Sequence, residues 1–457
     1  MKNLIPLLKK YDKRVPRYTS YPPANNFSTE FTDIPYQKLL VSNDNYSKDI
    51  SIYIHIPFCS KKCSFCGCNS FINSEQGLIE EYLIALKKEI NILRDNIGGD
   101  KEIVQIHFGG GTPNHLNTNE ISSLLSAIKS TFSFSKGIEI AMECNPAYLS
   151  YEYLTELYSL GINRLSIGIQ DYDLDVLKLI NRDFPYKQPK ELLQELKEIG
   201  FKSVNFDIVY GLPGQTLTSF SNTIEKLIES KPDRIALFSY AHLPQIIENQ
   251  KLISEEMLPT LEDKLSMLIS SHYKLKEAGY INIGMDHFAL PNDSLATSLA
   301  KGDLHRNFQG YCEKEKATQV YAIGISGITQ LNTIYAQNTK NISEYIESIE
   351  KGNLPIKRGY RLSYEETIIR DVINQLMCNF SINFKEFAAT KQLSITELYD
   401  IIGFDKSNFQ KYIDDQLINL NNDTLKVNDY GCFVIRNIVS ELDPALKKSK
   451  LTYSRTI

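Results

Sequence analysis

The stretch Tyr53–Ser70, YIHIPFCSKKCSFCGCNS, decides how this chain is read. An apolar run with strand character ends at Cys59, and Cys63, Cys66 and Cys68 follow within one short loop. Structural zinc sites usually draw four ligands from two separated pairs. No second pair follows here, since Cys144, Cys312, Cys378 and Cys432 are scattered. A CxxxCxxC loop on its own suits an iron–sulfur cluster held by three thiolates, with one iron left open as a reactive position. Zinc, or plain reduced thiols, is the alternative reading of Cys59, Cys63 and Cys66. Cys68 is surplus to a three-thiolate cluster, and is either a catalytic group or an ordinary loop residue.

Outward from this loop, strands and helices alternate. SIYIHI (51–56), EIVQIHF (102–108), GIEIAMEC (137–144), NRLSIGIQ (163–170), SVNFDIVYG (203–211) and DRIALFSY (233–240) read as strands. Helical stretches follow them, at 77–93, 118–130, from about 150, twice within 173–199, at 216–229 and at 257–278. Six βα units imply parallel strands with right-handed crossovers, and their near-continuous apolar character says that both sheet faces are covered. Six are too few for a closed eight-fold barrel. The expectation is therefore an α/β fold, a partial (β/α)6 barrel, with an extended N-terminal arm and a small, mainly helical C-terminal domain. In chain order these are residues 1–50, 51–360 and 361–457. The last segment reads as helical around RLSYEETIIRDVINQLM and ITELYDIIGF, and TLKVNDYGCFVIRNI reads as a short strand pair running into a helix. That pattern is winged-helix-like. Its 12 basic and 13 acidic residues nearly cancel, which argues against DNA binding and for a capping or gating role.

Bulk properties exclude several classes. The chain has 457 residues and a net charge of −5, so nothing suggests affinity for nucleic acid or acidic membranes. MKNLIPLLKKYDKR lacks the long apolar core and cleavage site of a signal peptide. No apolar run approaches the ~20 residues that span a bilayer. Scattered cysteines point to a reducing compartment, and the expectation is a cytoplasmic protein without membrane insertion.

Polar residues and glycines gather at strand ends. Cys59, Gly109–Gly111, Glu143, Gln170, Asp207 and Tyr240 all fall at or just past the C-terminal ends of consecutive strands, the face where parallel α/β barrels carry their active sites. GGGTP (109–113) could be a tight turn, or a backbone that approaches a ligand and bonds an ammonium and a carboxylate. Glu143 could pair with a local arginine, or bind a ribose or an ammonium. Gln170, Arg182 and Asp207 carry the same ambiguity singly. The histidines show no metal-ligand spacing, and His55, inside an apolar strand, reads as a core or supporting residue.

The CxxxCxxC loop followed by GGGTP resembles the radical S-adenosylmethionine (SAM) superfamily. More narrowly, PRYTSYP, HIPFC…CGCN, FGGGTP, NRLSIGIQ, DIVYGLP, YAHLP, GMDHFA, HRNFQGY and YAQN resemble the oxygen-independent coproporphyrinogen III dehydrogenase family, in order along the chain. The resemblance implies a [4Fe–4S] cluster on Cys59, Cys63 and Cys66, with Cys68 as the family's fourth, non-ligating cysteine. It implies two SAM molecules. Gly110, Glu143, Gln170, Arg182, Asp207 and Ala241 match positions that bind the first. Gly111, Thr112, Phe308, Gln309 and Ile328 match the second, and Tyr53 matches a residue near the cluster. It further implies radical abstraction of a β-hydrogen from two propionates of coproporphyrinogen III, with loss of CO₂ to leave vinyl groups. The partners implied are that substrate and a low-potential electron donor such as flavodoxin or ferredoxin, with the enzyme a monomer. Tyr53 and Cys68 are the catalytic candidates. A haem-binding, chaperone-like relative and a radical SAM enzyme acting on haem are the competing readings. Against the first of these, such relatives typically carry an aromatic residue at the position of Cys68 and lack the PRYTSYP arm. Departures from the family pattern fall at Ala147, Gly214 and Leu290, where relatives usually carry basic residues. Arg17, Arg306, Arg358 and Arg361 are then the candidate partners for substrate carboxylates.

Overall fold

A computed structural model describes residues 4–31, 36–40, 47–72, 75–98, 100–314, 319–448, 453 and 455. Two compact units emerge: one of residues 28–278 and 315–360, the other of residues 1–27, 279–314 and 361–457.

The larger unit is built on a parallel sheet. Strands β1 (Asp49–Ile56), β2 (Glu102–Gly110), β3 (Ser133–Cys144), β4 (Arg164–Gln170), β5 (Ser203–Tyr210) and β6 (Arg234–Ser239) lie side by side in chain order, all parallel. Parallel neighbours need a crossover, and helices supply it, among them Gln76–Ile97, Thr118–Thr131, Pro189–Ile199 and Leu217–Ser230. Their starts are written locally. Asn117 and Glu120 form a reciprocal capping box, and Ser150, Thr216 and Thr260 each accept a bond from a backbone N–H of the first turn. Helix Gln76–Ile97 buries Ile79, Leu83, Leu86, Ile90 and Leu93, a spacing of three and four that lays one stripe on the sheet. Ile50, Ile52, Ile54 and Ile56 of β1 are buried, and so are Ser51 and His55 on its other face. Both faces of the strand are covered, as its apolar run requires.

The sheet extends beyond the six expected strands. On the far side of β1 comes β7 (Val320–Ile323), parallel to it, then β8 (Ile328–Gln330) and β9 (Ile334–Asn338) running antiparallel, and β10 (Ile356–Arg361). The open order fits a partial barrel. Strand β3 begins at Ser133 rather than near 137, because Ser133 and Phe134 pair with Glu102 and Ile103 at the start of β2. SFSK carries no apolar run to announce that extension.

In the smaller unit the N-terminal segment is not extended throughout, since Leu4–Tyr11 is helical and buries Leu4, Leu8 and Tyr11. Two hairpins, Ile281–Gly284 with His287–Ala289 and Leu304–Asn307 with Gly310–Glu313, precede the helix Tyr364–Asn379. A three-stranded antiparallel sheet follows, with Thr424–Val427 between Ser381–Asn383 and Ile418–Asn421. The strand pair expected inside 424–438 is therefore a single strand there, whose two partners precede it in sequence. The helix Ile435–Ser440 comes after it.

Candidate active site

The cysteine loop stands on the C-terminal end of β1. Phe58–Cys59 and Phe71–Ile72 pair as two short parallel strands, and the Phe71 N–H donates to the Pro57 carbonyl, so the loop leaves and returns at one place. The Cys66 N–H donates to the Cys63 carbonyl, and the Ser64 N–H to the Ile180 carbonyl. The GGGTP segment packs directly beneath. Gly111 N–H donates to Ile56 O at 2.8 Å and Thr112 N–H to Phe58 O at 3.0 Å, while Thr112 Oγ1 sits 3.2 Å from Cys59 Sγ. A Cβ on Gly111 would lie 2.9 Å from the Pro57 carbonyl and 3.0 Å from Cys59 Sγ. Gly110 has φ +117°, and a Cβ there would sit 2.7 Å from the His55 ring. The glycines are needed because two backbones and an imidazole meet there.

Next come the polar strand ends. Glu143 accepts from the Gly110 N–H at 3.4 Å and lies 3.0 Å from His107 Nε2. Gln170 ends β4 with φ +70°, after a register shift against β5. Arg182 reaches back from the loop after helix Leu174–Leu179, donating to Gly168 O and, at 3.4 Å, to Cys63 Sγ. Asp207 accepts from Ser166 Oγ at 3.1 Å and Asn205 Nδ2 at 2.8 Å. Burial, and then the nearby Glu143 charge, push its carboxyl up to about 7. Among the thiols, a bond from Cys68 and the Lys62 and Arg182 charges hold Cys66 low, near 6, against the opposing effect of burial. The Cys68 thiol, on a residue exposed at the loop surface, is correspondingly pushed well above its ordinary value, chiefly by that bond with Cys66. Burial raises Cys59, with the Thr112 hydroxyl working against it.

Cys59, Cys63, Cys66, Cys68, Gly110, Gly111, Thr112, Glu143, Gln170, Arg182, Asp207 and Ala241 all line one cavity of about 420 Å³. Tyr53, Phe308, Gln309 and Ile328 do not. Tyr53 is one turn of the pleat behind the mouth on β1, its hydroxyl 3.3 Å from His55 Nδ1 and its ring stacked on His107 at 5.9 Å. Ile328 opens β8, opposite Gln337. Phe308 and Gln309 turn the hairpin Leu304–Asn307/Gly310–Glu313 of the smaller unit. Of the arginines, Arg17 pairs with Asp286 at 2.7 Å and Arg358 donates to Gln337 at 2.6 Å. Arg306 Nη1 lies 3.0 Å from Met285 Sδ.

Sequence reading missed His107, Ser166 and Asn205. Their signal is spacing: His107 lies two residues before the GGG run, so it shares a strand face with Gly109, and Asn205 shares one with Asp207. His55 was read as a supporting residue, and it occupies that place. Burial keeps it neutral, and its Nε2 lies 3.0 Å from the carbonyl of Asn69, next to Cys68.

Among the described residues, no three metal-ligating side chains converge on one point that a single ion could occupy. Cys59, Cys63 and Cys66 line one cavity, and three thiolates on one short loop are a donor set that an iron–sulfur cluster uses. The Arg182 guanidinium beside them suits a ligand bearing a carboxylate. The donor set thus fits an iron–sulfur cluster with an open iron.

The radical SAM superfamily model matches residues 53–227. The oxygen-independent coproporphyrinogen III oxidase of Synechocystis sp. is 37% identical over 99% of this chain and 97% of its own length. The Escherichia coli oxidase of the same name is 37% identical over 97% of this chain and 95% of its own. This chain belongs to that oxidase family. The solved structure of the Escherichia coli coproporphyrinogen III oxidase, described as a radical SAM enzyme, superposes with a TM-score of 0.89 over 96% of this chain and 98% of that one, at 36% identity. Membership of this oxidase family brings with it a [4Fe–4S] cluster and SAM as cofactors. No helix among the described residues is long and apolar enough to cross a membrane.

Proposed function

We propose that this chain oxidatively decarboxylates two propionate side chains of coproporphyrinogen III to vinyl groups, giving protoporphyrinogen IX in anaerobic haem biosynthesis. The observation that carries this reading is the meeting of Cys59, Cys63 and Cys66 with Gly110, Glu143, Arg182 and Asp207 around one cavity, in a chain aligned end to end with oxidases of that name.

In this reading Cys59, Cys63 and Cys66 hold the cluster. When bound, cluster and SAM supply a one-electron cleavage whose carbon radical removes a β-hydrogen from a propionate. The residues around them bind and orient. Arg182 offers a guanidinium to the SAM carboxylate, and Glu143 with the Gly110 backbone receives its ammonium. Gln170, Asp207 and Ala241 take the rest of that molecule. The low position of the Cys66 thiol favours the thiolate that a metal requires. Cys68, held protonated beside Cys66, carries a hydrogen into the cavity and is with Tyr53 the catalytic candidate. A second SAM is also proposed, on the match of Gly111, Thr112, Phe308, Gln309 and Ile328 to the family's positions for it. The chain-order division at 50/51 and 360/361, a monomeric cytoplasmic enzyme and a flavodoxin- or ferredoxin-like donor complete the proposal. No nucleic acid enters it.

An anaerobic turnover assay tests it. Reconstituted protein is mixed with SAM, a low-potential reductant, an electron acceptor preparation and coproporphyrinogen III, and products are read by mass after oxidation to porphyrins. Loss of two carboxyl groups with SAM consumption is expected. SAM cleavage with intact substrate would move the substrate elsewhere, and a loaded cluster without SAM cleavage would sink the enzymatic reading.

A further inference from the structure

Four consecutive backbone carbonyls of the cysteine loop, those of residues 63–66, are all taken by two adjacent side-chain amides. Asn249 Nδ2 lies 2.8 Å from Cys63 O, 3.0 Å from Ser64 O and 3.0 Å from Cys66 O. Gln250 Nε2 donates to Phe65 O at 2.9 Å. Both belong to the short 3-10 turn Glu248–Leu252, more than 180 residues away in sequence. Gln250 does more than close this clasp. Its second N–H donates to Ala241 O at 3.2 Å, and its Oε1 accepts from the Leu243 N–H at 2.5 Å. The residue is 1% exposed, and both of its amide hydrogens and its oxygen are engaged.

Asn249 therefore grips the loop alone. Gln250 bolts the loop to the segment beyond β6, where Ala241 and Leu243 line the same cavity as the cysteines. A buried amide that satisfies two carbonyls and one N–H is hard to replace, because any substitute strands at least one of them.

We infer that Gln250 is a positioning residue that sets the distance between the cysteine loop and the Ala241–Leu243 segment, so that cluster retention and SAM affinity both depend on it. Asn249 serves the loop only. The inference rests on the reading of this cavity as the cluster and SAM site.

The test uses the full chain reconstituted with iron and sulfide, with Asn249→Ala, Gln250→Glu and Gln250→Met. Gln250→Glu keeps the acceptor for Leu243 and turns both donors into a carboxylate facing carbonyls. Gln250→Met keeps the length, is neutral, and serves as the variant to read if the first does not fold, which thermal melting of the apo chain reports. Two quantities are measured without substrate: the lifetime of cluster absorbance under a chelator, and SAM affinity per loaded cluster by equilibrium dialysis. Asn249→Ala is expected to shorten the lifetime severalfold with SAM affinity unchanged. The Gln250 variants are expected to shorten it and also to weaken SAM about tenfold. Wild-type lifetime and affinity in a folded Gln250 variant overturn the inference, as does loss of the lifetime alone. A wild-type chain that loads iron and sulfide but binds no SAM would instead fail the underlying reading of the cavity.

Discussion

Arg182 Nη1 lies 3.4 Å from Cys63 Sγ, while Nη2 of the same guanidinium donates to the Gly168 carbonyl. One planar fork thus joins the cysteine loop to β4 and leaves its charge at the cavity wall. Lysine carries the charge but not the fork. Arg182→Lys is therefore expected to weaken SAM binding by roughly tenfold to a hundredfold, matching the ~1.5–3 kcal/mol of a hydrogen bond to a charged group. The global fold should be unchanged. Dialysis of SAM against reconstituted protein checks this, and an unchanged affinity would remove Arg182 from the binding set.

Gly111 tests the contact between GGGTP and the cysteine loop. Its added methyl would meet the Pro57 backbone and Cys59 Sγ, neither of which can swing aside as a flexible chain end does. Gly111→Ala is expected to cost about 1–3 kcal/mol in denaturant unfolding and to lower iron content after reconstitution. Gly77→Ala is the control, because nothing lies within 4 Å of a Cβ at Gly77. If the two variants unfold alike and load alike, the close packing at Gly111 carries no weight.

Much of this site could be read directly from the chain because local chemistry writes it. β1 and its cysteines are continuous in sequence, and Glu143, Gln170 and Asp207 each lie in the C-terminal half of an apolar run that reads as a strand. What could not be read is held by contacts distant in sequence. Nothing in ENQKL marks Asn249 and Gln250 as the clasp of a loop near residue 65, since an amide in a polar turn usually faces water. The strand β7 was hidden for a similar reason. VYAI is too short to stand out, and becomes a strand only by pairing with Ser51–Ile54. The helix Leu4–Tyr11 does not stand out in the sequence because the segment that follows it is rich in tyrosine and proline.

Glu89 gives a pH prediction. Buried in helix Gln76–Ile97, it accepts from the Gly324 N–H at 2.8 Å, Asn338 Nδ2 at 2.9 Å and the Tyr345 hydroxyl. Burial outweighs these donors and pushes its carboxyl from 4.5 up to about 7. Below about pH 4.5 the group is protonated whether the chain is folded or unfolded. Between that value and 7 only the unfolded chain gives up the proton, so stability falls as pH rises, by on the order of 3 kcal/mol in all. Glu89→Gln removes this slope, although one of its amide hydrogens must face a donor. The stability gap between wild type and variant, measured on the apo chain in denaturant, should shrink from pH 4.5 to pH 8. A gap that stays constant would mean Glu89 does not titrate in this range.

The aromatic arm is anchored from the far end of the chain. Tyr18 and Tyr21 each donate a hydroxyl to Asp443 at 3.1 Å, and the N–H groups of Ala445 and Leu446 bond the same carboxylate. Asp443 is 2% exposed, and both tyrosines are buried. Asp443→Ala would strand two phenols and two backbone donors, each worth ~1–3 kcal/mol when left unpaired, so a loss of at least about 4 kcal/mol is expected. Asp443→Asn keeps one carbonyl oxygen for the backbone N–H groups and Tyr21, and the Tyr18 hydroxyl can turn to accept from its amide. Its cost should stay below about 1.5 kcal/mol. Limited trypsin digestion supplies a local readout, because Arg14 and Arg17 lie just before the anchored tyrosines. Faster cleavage there in the alanine variant, with the asparagine variant close to wild type, is the expected pattern. Equal protection in all three would show that the arm is held by its apolar packing and that the carboxylate is incidental.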